Sequence, residues 1–361
     1  MPAAKKVLVV DDSALMRRVL TRMLEEGGFE VVTAHDGAHA LEVLARENPD
    51  VVTLDVNMPR MDGLTCLSRI MSDCPKPVVM CSSITQEGAA ATLEALALGA
   101  VDIILKPDGT VSPSLYRIED EIVAKVRAAA SARPRKSRAG GGVQRPVGPE
   151  RRAVPRGATG APPPLEYLVL VGVSTGGPGM LDDVLSELPA DLPGAVVIAQ
   201  HMPAGFTQTL AQRLDRTCPL PVSEVSAVTE IKAANVYLGR GGSDLVVTRR
   251  GAGIALSPVP ADPKRLWHPS VSRLVASALE HTEAAHLVGV QLTGMGNDGA
   301  AEMAELRRLG GRTIAESEET AVVFGMPKEL IDLGGATSVL PSSRIGREIG
   351  RWTALTPTQA A

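Results

Sequence analysis

The sequence predicts an α/β protein made of two doubly wound parallel-sheet domains, the second Rossmann-like, joined by a flexible linker. Three observations carry this. Short apolar runs alternate with amphipathic stretches five times between Lys6 and Ala130. The alternation stops at a segment without core-forming side chains and resumes after Leu165. The runs are almost continuously apolar and rich in valine, which suits strands covered on both faces.

In the first unit the expected strands are Val7 to Val10, Val31 to Ala34, Val51 to Leu54, Pro77 to Cys81 and Asp102 to Leu105. Open sheets of this kind put their crevice at the carboxyl ends of the strands. Those ends carry Asp11 and Asp12, then Asp55, then Ser82 and Ser83, and finally Lys106 before Pro107. Three carboxylates on one edge repel one another unless a hard cation sits among them, and Mg²⁺ takes one or two carboxylates completed by waters and phosphate oxygens. A lysine and a hydroxyl opposite would hold a phosphoryl group. Separate helix-capping aspartates would explain any one of these residues, but not the set.

Through VVDDS, LDVNMPRMDG, CSS and LKP this unit resembles the receiver domain of response regulators. The resemblance implies Asp55 as phosphoacceptor, Asp11, Asp12 and Asp55 as Mg²⁺ ligands, Ser82 as switch hydroxyl and Lys106 as phosphate partner. Ile103 departs from it, standing where many receivers carry a switching aromatic.

Residues 131–164 hold seven prolines, six glycines and eight Lys/Arg against one acid, Glu150. Such a composition cannot build a core and predicts a solvated tether. The expected boundaries are 1–130 for the receiver-like domain, 131–164 for the linker, 165–350 for the second domain and 351–361 for a C-terminal tail.

The second unit opens with a buried strand, Tyr167 to Val173, then the turn Gly172-Val173-Ser174-Thr175-Gly176, then a helix from Met180 to Leu188. A G-x-S-x-G turn between strand and helix exposes its serine as a nucleophile. The competing phosphate-loop reading fails because Pro178 and Gly179 stand where Lys and Ser/Thr are needed. Ala195 to Gln200 reads as a strand delivering His201, and Ala285 to Thr293 as another, delivering Gly294-Met295-Gly296-Asn297-Asp298-Gly299. Ser174, His201 and Asp298 therefore leave one sheet edge, and acyl transfer needs these three groups: hydroxyl, imidazole, and a carboxylate to fix the imidazole tautomer. His268, His281 and His286 end no apparent strand.

GVSTGGP, QHMPAGFTQTLAQRLD, LTGMGNDGA and ESEETAVVFGMP together resemble the catalytic domain of the CheB family, the chemotaxis receptor protein-glutamate methylesterases. A receiver, a linker and this domain in that order is the architecture of that family. The resemblance implies Ser174 as nucleophile, His201 as general base and acid, Asp298 as its partner and the Met295 N–H as oxyanion donor. It implies hydrolysis of glutamate γ-methyl esters, with deamidation of glutamines, on methyl-accepting chemotaxis receptors. A chemotaxis histidine kinase would donate the phosphoryl group, and the hydrolytic step would need no cofactor. By the same resemblance the unphosphorylated receiver covers the Ser174 crevice and phosphorylation uncovers it. Asp244 stands where a histidine is usual, and His268 and Ser272 where arginine and aspartate are usual; these departures are expected to alter the substrate surface.

Composition bounds the alternatives. A net charge of −4 and 2% aromatic residues give no footprint for nucleic acid. The N-terminal apolar run is too short for a signal peptide and no stretch reaches the length of a membrane span, so a cytoplasmic protein without membrane insertion is expected. Cys66, Cys74, Cys81 and Cys218 form no C-x-x-C pair and read as reduced packing residues. Two other readings stay open: a receiver-gated serine hydrolase with a substrate outside chemotaxis, and a non-catalytic response regulator acting by protein binding.

Overall fold

The apolar runs of the N-terminal unit form β1 (Lys6–Val10), β2 (Glu30–Ala34), β3 (Val51–Asp55), β4 (Val78–Ser82) and β5 (Asp102–Leu105). All pair in parallel, in the order β2-β1-β3-β4-β5. Around them lie α1 (Ala14–Glu26), α2 (Gly37–Glu47), α3 (Gly63–Asp73), α4 (Gln86–Leu98) and α5 (Leu115–Ala129). Ser13, Asp36 and Asp62 cap the first three helices by accepting the backbone N–H of Met16, His39 and Thr65. β4 starts one residue later than the sequence suggests, because Pro77 has no N–H to give the ladder, and it ends on Ser82. The structure is a computed structural model that describes residues 4–82, 86–106, 115–132, 163–251 and 253–354. Residues 133–162 of the expected tether, with Ser83 and Pro107, lie outside the described residues.

The chain divides into two compact units, Met1–Gln144 and Arg145–Ala361. In the second, β6 (Tyr167–Val173), α6 (Gly177–Leu185), β7 (Gly194–Gln200), α7 (Thr207–Asp215) and β8 (Val222–Val225) are followed by β9 (Thr229–Glu230), β10 (Asn235–Gly239), β11 (Ser243–Arg250) and β12 (Gly253–Pro260). Then come α8 (Val271–His281), β13 (Leu287–Gln291), α9 (Ala300–Arg308), β14 (Arg312–Glu316), α10 (Met326–Asp332), β15 (Ser338–Leu340) and α11 (Ser342–Thr353). A seven-stranded parallel sheet runs β15-β14-β13-β6-β7-β10-β8. Its central strands are fully buried because helices cover both faces, with Leu170, Val197, Leu274 and Met303 in one shared core.

Both sheets are the doubly wound parallel sheets the sequence predicts. The second unit also has a small antiparallel sheet, β11-β12-β9, which that reading does not contain. It is half covered, and its strands carry Pro258 and Pro260, so neither continuous burial nor clean alternation marks it. α6 begins at Gly177, three residues before Met180: Gly176 takes the left-handed N-cap conformation at φ 80°, and Pro178 suits a first turn. α11 runs to Thr353, into the segment 351–361, because Trp352 is buried against the domain. No helix among the described residues is long and apolar enough to cross a membrane.

Candidate active site and phosphoacceptor crevice

In the seven-stranded sheet the chain starts at β6, winds one way through β7, and later returns to the other side of β6 with β13. That reversal opens the crevice where doubly wound sheets bind ligands. Register then brings the candidates together. Val173 pairs with Gln200 across β6 and β7, so Ser174 and His201 leave neighbouring strands side by side, and His201 N donates to Val173 O at 3.0 Å. Gln291 pairs with Gly172 across β13 and β6, and Ser174 N donates to Thr293 O at 2.9 Å, which aligns the loop leading to Asp298.

His201 is buried, and its Nε2 lies 2.9 Å from Asp298 Oδ2. A carboxylate is an acceptor, so this bond fixes the proton on Nε2 and leaves a lone pair on Nδ1. That nitrogen is buried with no hydrogen-bond partner among the described residues. Asp298 is saturated: Oδ2 also accepts Val271 N at 2.7 Å, while Oδ1 accepts Ser270 Oγ at 3.0 Å and Ser272 N at 3.0 Å. It thus sits on the N-terminus of α8, where N–H groups and the helix dipole favour an anion. Burial pushes its carboxyl up, but the bond and charge of His201 and these N–H donors outweigh it and hold the group well below the usual carboxylate range. His268 pairs instead with Asp244, and His286 with the Glu166 carbonyl.

Several supporting residues escaped the sequence reading. Gln200 donates its amide to Ser174 O at 3.0 Å and to His201 O at 3.1 Å, tying the two strand ends together. A polar residue closing a fully apolar strand was the available signal. Thr293 braces the serine turn: its N–H donates to buried Glu316 at 2.8 Å and its hydroxyl to Thr175 O at 2.9 Å. Gly294 has φ 158°, and a Cβ there would come within 2.6 Å of Ser174 Cβ, so only glycine lets this loop approach the serine so closely. The next N–H, that of Met295, has no protein acceptor among the described residues. Trp267 stacks on His201, with ring centroids 5.7 Å apart and planes 12° from parallel.

The departures from the family pattern are not where they were expected. Asp244 and Ser272 are buried and His268 is largely so. They belong to the scaffold behind the triad rather than to a substrate surface: Ser272 N holds Asp298, and its hydroxyl donates to Glu302 at 2.7 Å.

In the five-stranded sheet the crevice lies between β1 and β3, again where the winding reverses. Asp11 and Asp55 are buried, Asp12 is exposed, and one oxygen of each lies within 4.8 Å of the others. Lys106 Nζ is 2.8 Å from both Asp11 and Asp55. Burial and the neighbouring Asp11 raise the Asp55 carboxyl above its ordinary value despite Lys106. The Lys106 ammonium is raised in turn, since its two carboxylates outweigh burial. Lys106 N donates to Ser82 O at 3.0 Å, so Ser82 and Lys106 end adjacent strands. This donor set of three carboxylates fits a small hard cation. On the neighbouring α5, buried Lys125 donates to Ile103 O at 2.8 Å and pairs with Asp102, fixing the strand that carries Lys106.

The two crevices define a class: a phosphoacceptor domain on the same chain as an α/β domain of serine-hydrolase type. Comparison with known proteins agrees. Residues 7–111 match the response regulator receiver domain model and residues 169–349 the CheB methylesterase model. A protein-glutamate methylesterase/protein-glutamine glutaminase of Rhodospirillum rubrum is 53% identical over 359 residues, covering 97% of each chain. One from Rhodopseudomonas palustris is 50% identical, over 96% of this chain and 98% of that one. The crystal structure of the CheB methylesterase catalytic domain of Thermotoga maritima matches at 37% identity and TM-score 0.50, covering 51% of this chain and 97% of that one. The chain belongs to the CheB family of protein-glutamate methylesterases that carry a receiver domain.

Proposed function

We propose that this chain hydrolyses glutamate γ-methyl esters on methyl-accepting chemotaxis receptors, under control of phosphorylation at Asp55. The observation that carries the hydrolytic reading is the free lone pair of buried His201 Nδ1, left available because Nε2 is committed to Asp298. Ser174 Oγ attacks the ester carbonyl while Nδ1 takes its proton, and Asp298 stabilises the imidazolium. The Met295 N–H faces the developing oxyanion. His201 then protonates the departing methoxide, and water hydrolyses the glutamyl-enzyme by the same route. A glutamine side chain would follow this path with ammonia leaving, which makes deamidation a second activity of the same site.

In the receiver crevice, Asp11, Asp12 and Asp55 are the residues that would hold Mg²⁺, which when bound offsets charge on the incoming phosphoryl oxygens. Asp55 accepts the phosphoryl group from a chemotaxis histidine kinase, and Lys106 and Ser82 hold its oxygens. The test is release of labelled methanol from methyl-labelled receptor membranes, with and without a small phosphodonor. Release that rises with phosphodonor is expected. No release from any receptor set would contradict the substrate, and release of a labelled alcohol from a non-receptor ester, or of a labelled amine from a non-receptor amide, would favour a hydrolase outside chemotaxis.

A further inference from the structure

Between the small sheet and α8 runs a strap, residues 262–270, that crosses beside the triad. We infer that Asp244 is a positioning residue for the reaction: one buried carboxylate that clamps this strap at both ends and thereby sets Trp267 on His201 and the N-terminus of α8 on Asp298. The inference rests on the triad reading above.

Asp244 lies near the start of β11, paired with Val259 of β12, and is 1% exposed. Each of its oxygens takes two donors. Oδ1 accepts Ser270 N at 2.7 Å and His268 Nδ1 at 2.8 Å; Oδ2 accepts Arg273 Nη1 at 2.7 Å and Asp262 N at 3.1 Å. The first and last residues of the strap therefore hang on a single carboxylate. Burial would raise that carboxyl, but His268, Ser270, Arg273 and Asp262 together hold it down at about 2.

What the strap carries is the acid arm. Ser270 gives its N–H to Asp244 and its hydroxyl to Asp298, so one residue couples the two carboxylates. Apart from His201, the donors to the Asp298 carboxylate among the described residues come from Ser270 at the end of the strap and from Val271 and Ser272 in the first turn of α8, with Arg265 Nη1 of the strap at 3.7 Å. Trp267, at the middle of the strap, is the ring stacked on the imidazole. Replacing Asp244 by a neutral amide leaves His268 and Arg273 without their anion and sets an NH2 against one pair of donors, so that one strap end loses its acceptor. A shift of about 1 Å at a reacting group can cost on the order of 100-fold in rate.

Indole emission reads the stack directly, because a protonated imidazole in contact quenches it far more than a neutral one. The chain has two tryptophans, Trp267 and Trp352, so a Trp352→Phe background isolates the signal. Asp298 holds His201 and Arg265 lies 3.7 Å from Asp298, while the strap that carries Trp267 also bears Asp262, Lys264 and His268; His201→Ala assigns the quench among these charged and titratable groups. In the full chain without substrate, Trp267 emission should fall on acidification, and His201→Ala should remove that fall. Asp244→Asn should remove most of it and lower kcat/KM by about 10- to 100-fold, with the loss in kcat. His268→Ala and Arg273→Ala, which each delete one donor and keep the carboxylate, should do so more weakly, and they serve if Asp244→Asn does not fold. Val247→Ala, a core truncation in the same strand, should lower the melting temperature but keep both the quench and kcat/KM. Folded Asp244, His268 and Arg273 variants with a full quench would overturn the inference, as would a Val247→Ala protein equally impaired, or no His201-dependent quench at all. The emission needs no ester, so failure of the proposed substrate would leave this result standing.

Discussion

Beside β1 and β3 the N-terminal unit gathers three carboxylates, two of them on one lysine; beside β6 and β13 the C-terminal unit presents one carboxylate already saturated by donors. Both crevices occupy the reversal point of a doubly wound sheet, so topology supplies the same place twice. The difference lies in how each anion is satisfied. Asp55 is buried with too little compensation and is held partly toward its neutral form, which suits a group awaiting a cation and a phosphoryl. Asp298 is overcompensated by α8 and His201, stays ionised, and leaves one imidazole nitrogen free. An acidic crevice short of positive charge recruits chemistry from solution, whereas a saturated one holds its base ready.

The largest expected effect sharpens the second half of that comparison. Ser174→Ala or His201→Ala should each lower kcat by roughly 10⁴- to 10⁶-fold, and combining them should add little, since the residues act as a unit. Independent, multiplying losses in steady-state methanol release would break the unit. Asp298→Asn should cost about 10²- to 10⁴-fold, because an amide in this place no longer dictates which imidazole nitrogen carries the proton. Wild-type rates in that variant would remove Asp298 from the mechanism.

A smaller effect tests the two anions as stability statements of opposite sign. The folded Asp298 carboxyl is lowered, so its contribution is present above the unfolded value of 3.8 and is lost as pH falls through the folded one. The folded Asp55 carboxyl is raised, so its contribution is present below 3.8 and is lost as pH rises through the folded value. At neutral pH without Mg²⁺, Asp55→Asn should therefore raise the melting temperature of the receiver transition, and Asp298→Asn should lower that of the catalytic domain. Calorimetry resolving the two transitions checks this; shifts of the same sign in both variants would contradict the comparison. Mg²⁺ should raise the wild-type receiver transition, as any ligand of the folded state does, and raise it much less in Asp55→Asn.

Much of this was legible in the residues. Strand ends announce themselves where an apolar run meets Asp, Ser, His or Lys, which is why Asp11, Asp55, Ser174 and His201 could be read before any fold was in hand. The supports of Asp298 could not be read, because they come from residues 265–272, distant in sequence and marked by no periodicity. For the same reason Asp244, His268 and Ser272 looked like surface departures: sequence position says nothing of whether a polar side chain is satisfied inside. The small antiparallel sheet was hidden by its prolines and half-burial.

The central claim, that one crevice takes a phosphoryl group to govern acyl chemistry in the other, is tested most directly by initial rates of methanol release. The full chain, its Asp55→Ala variant and its Ser174→Ala variant are compared on methylated receptors with and without phosphodonor. A tenfold activation would need only about 1.4 kcal/mol of differential stabilisation between states of low and high activity. Phosphodonor should raise the wild-type rate, leave Asp55→Ala at the unstimulated wild-type rate, and rescue nothing in Ser174→Ala. Activation that survives in Asp55→Ala, or methanol released by Ser174→Ala, would contradict the account.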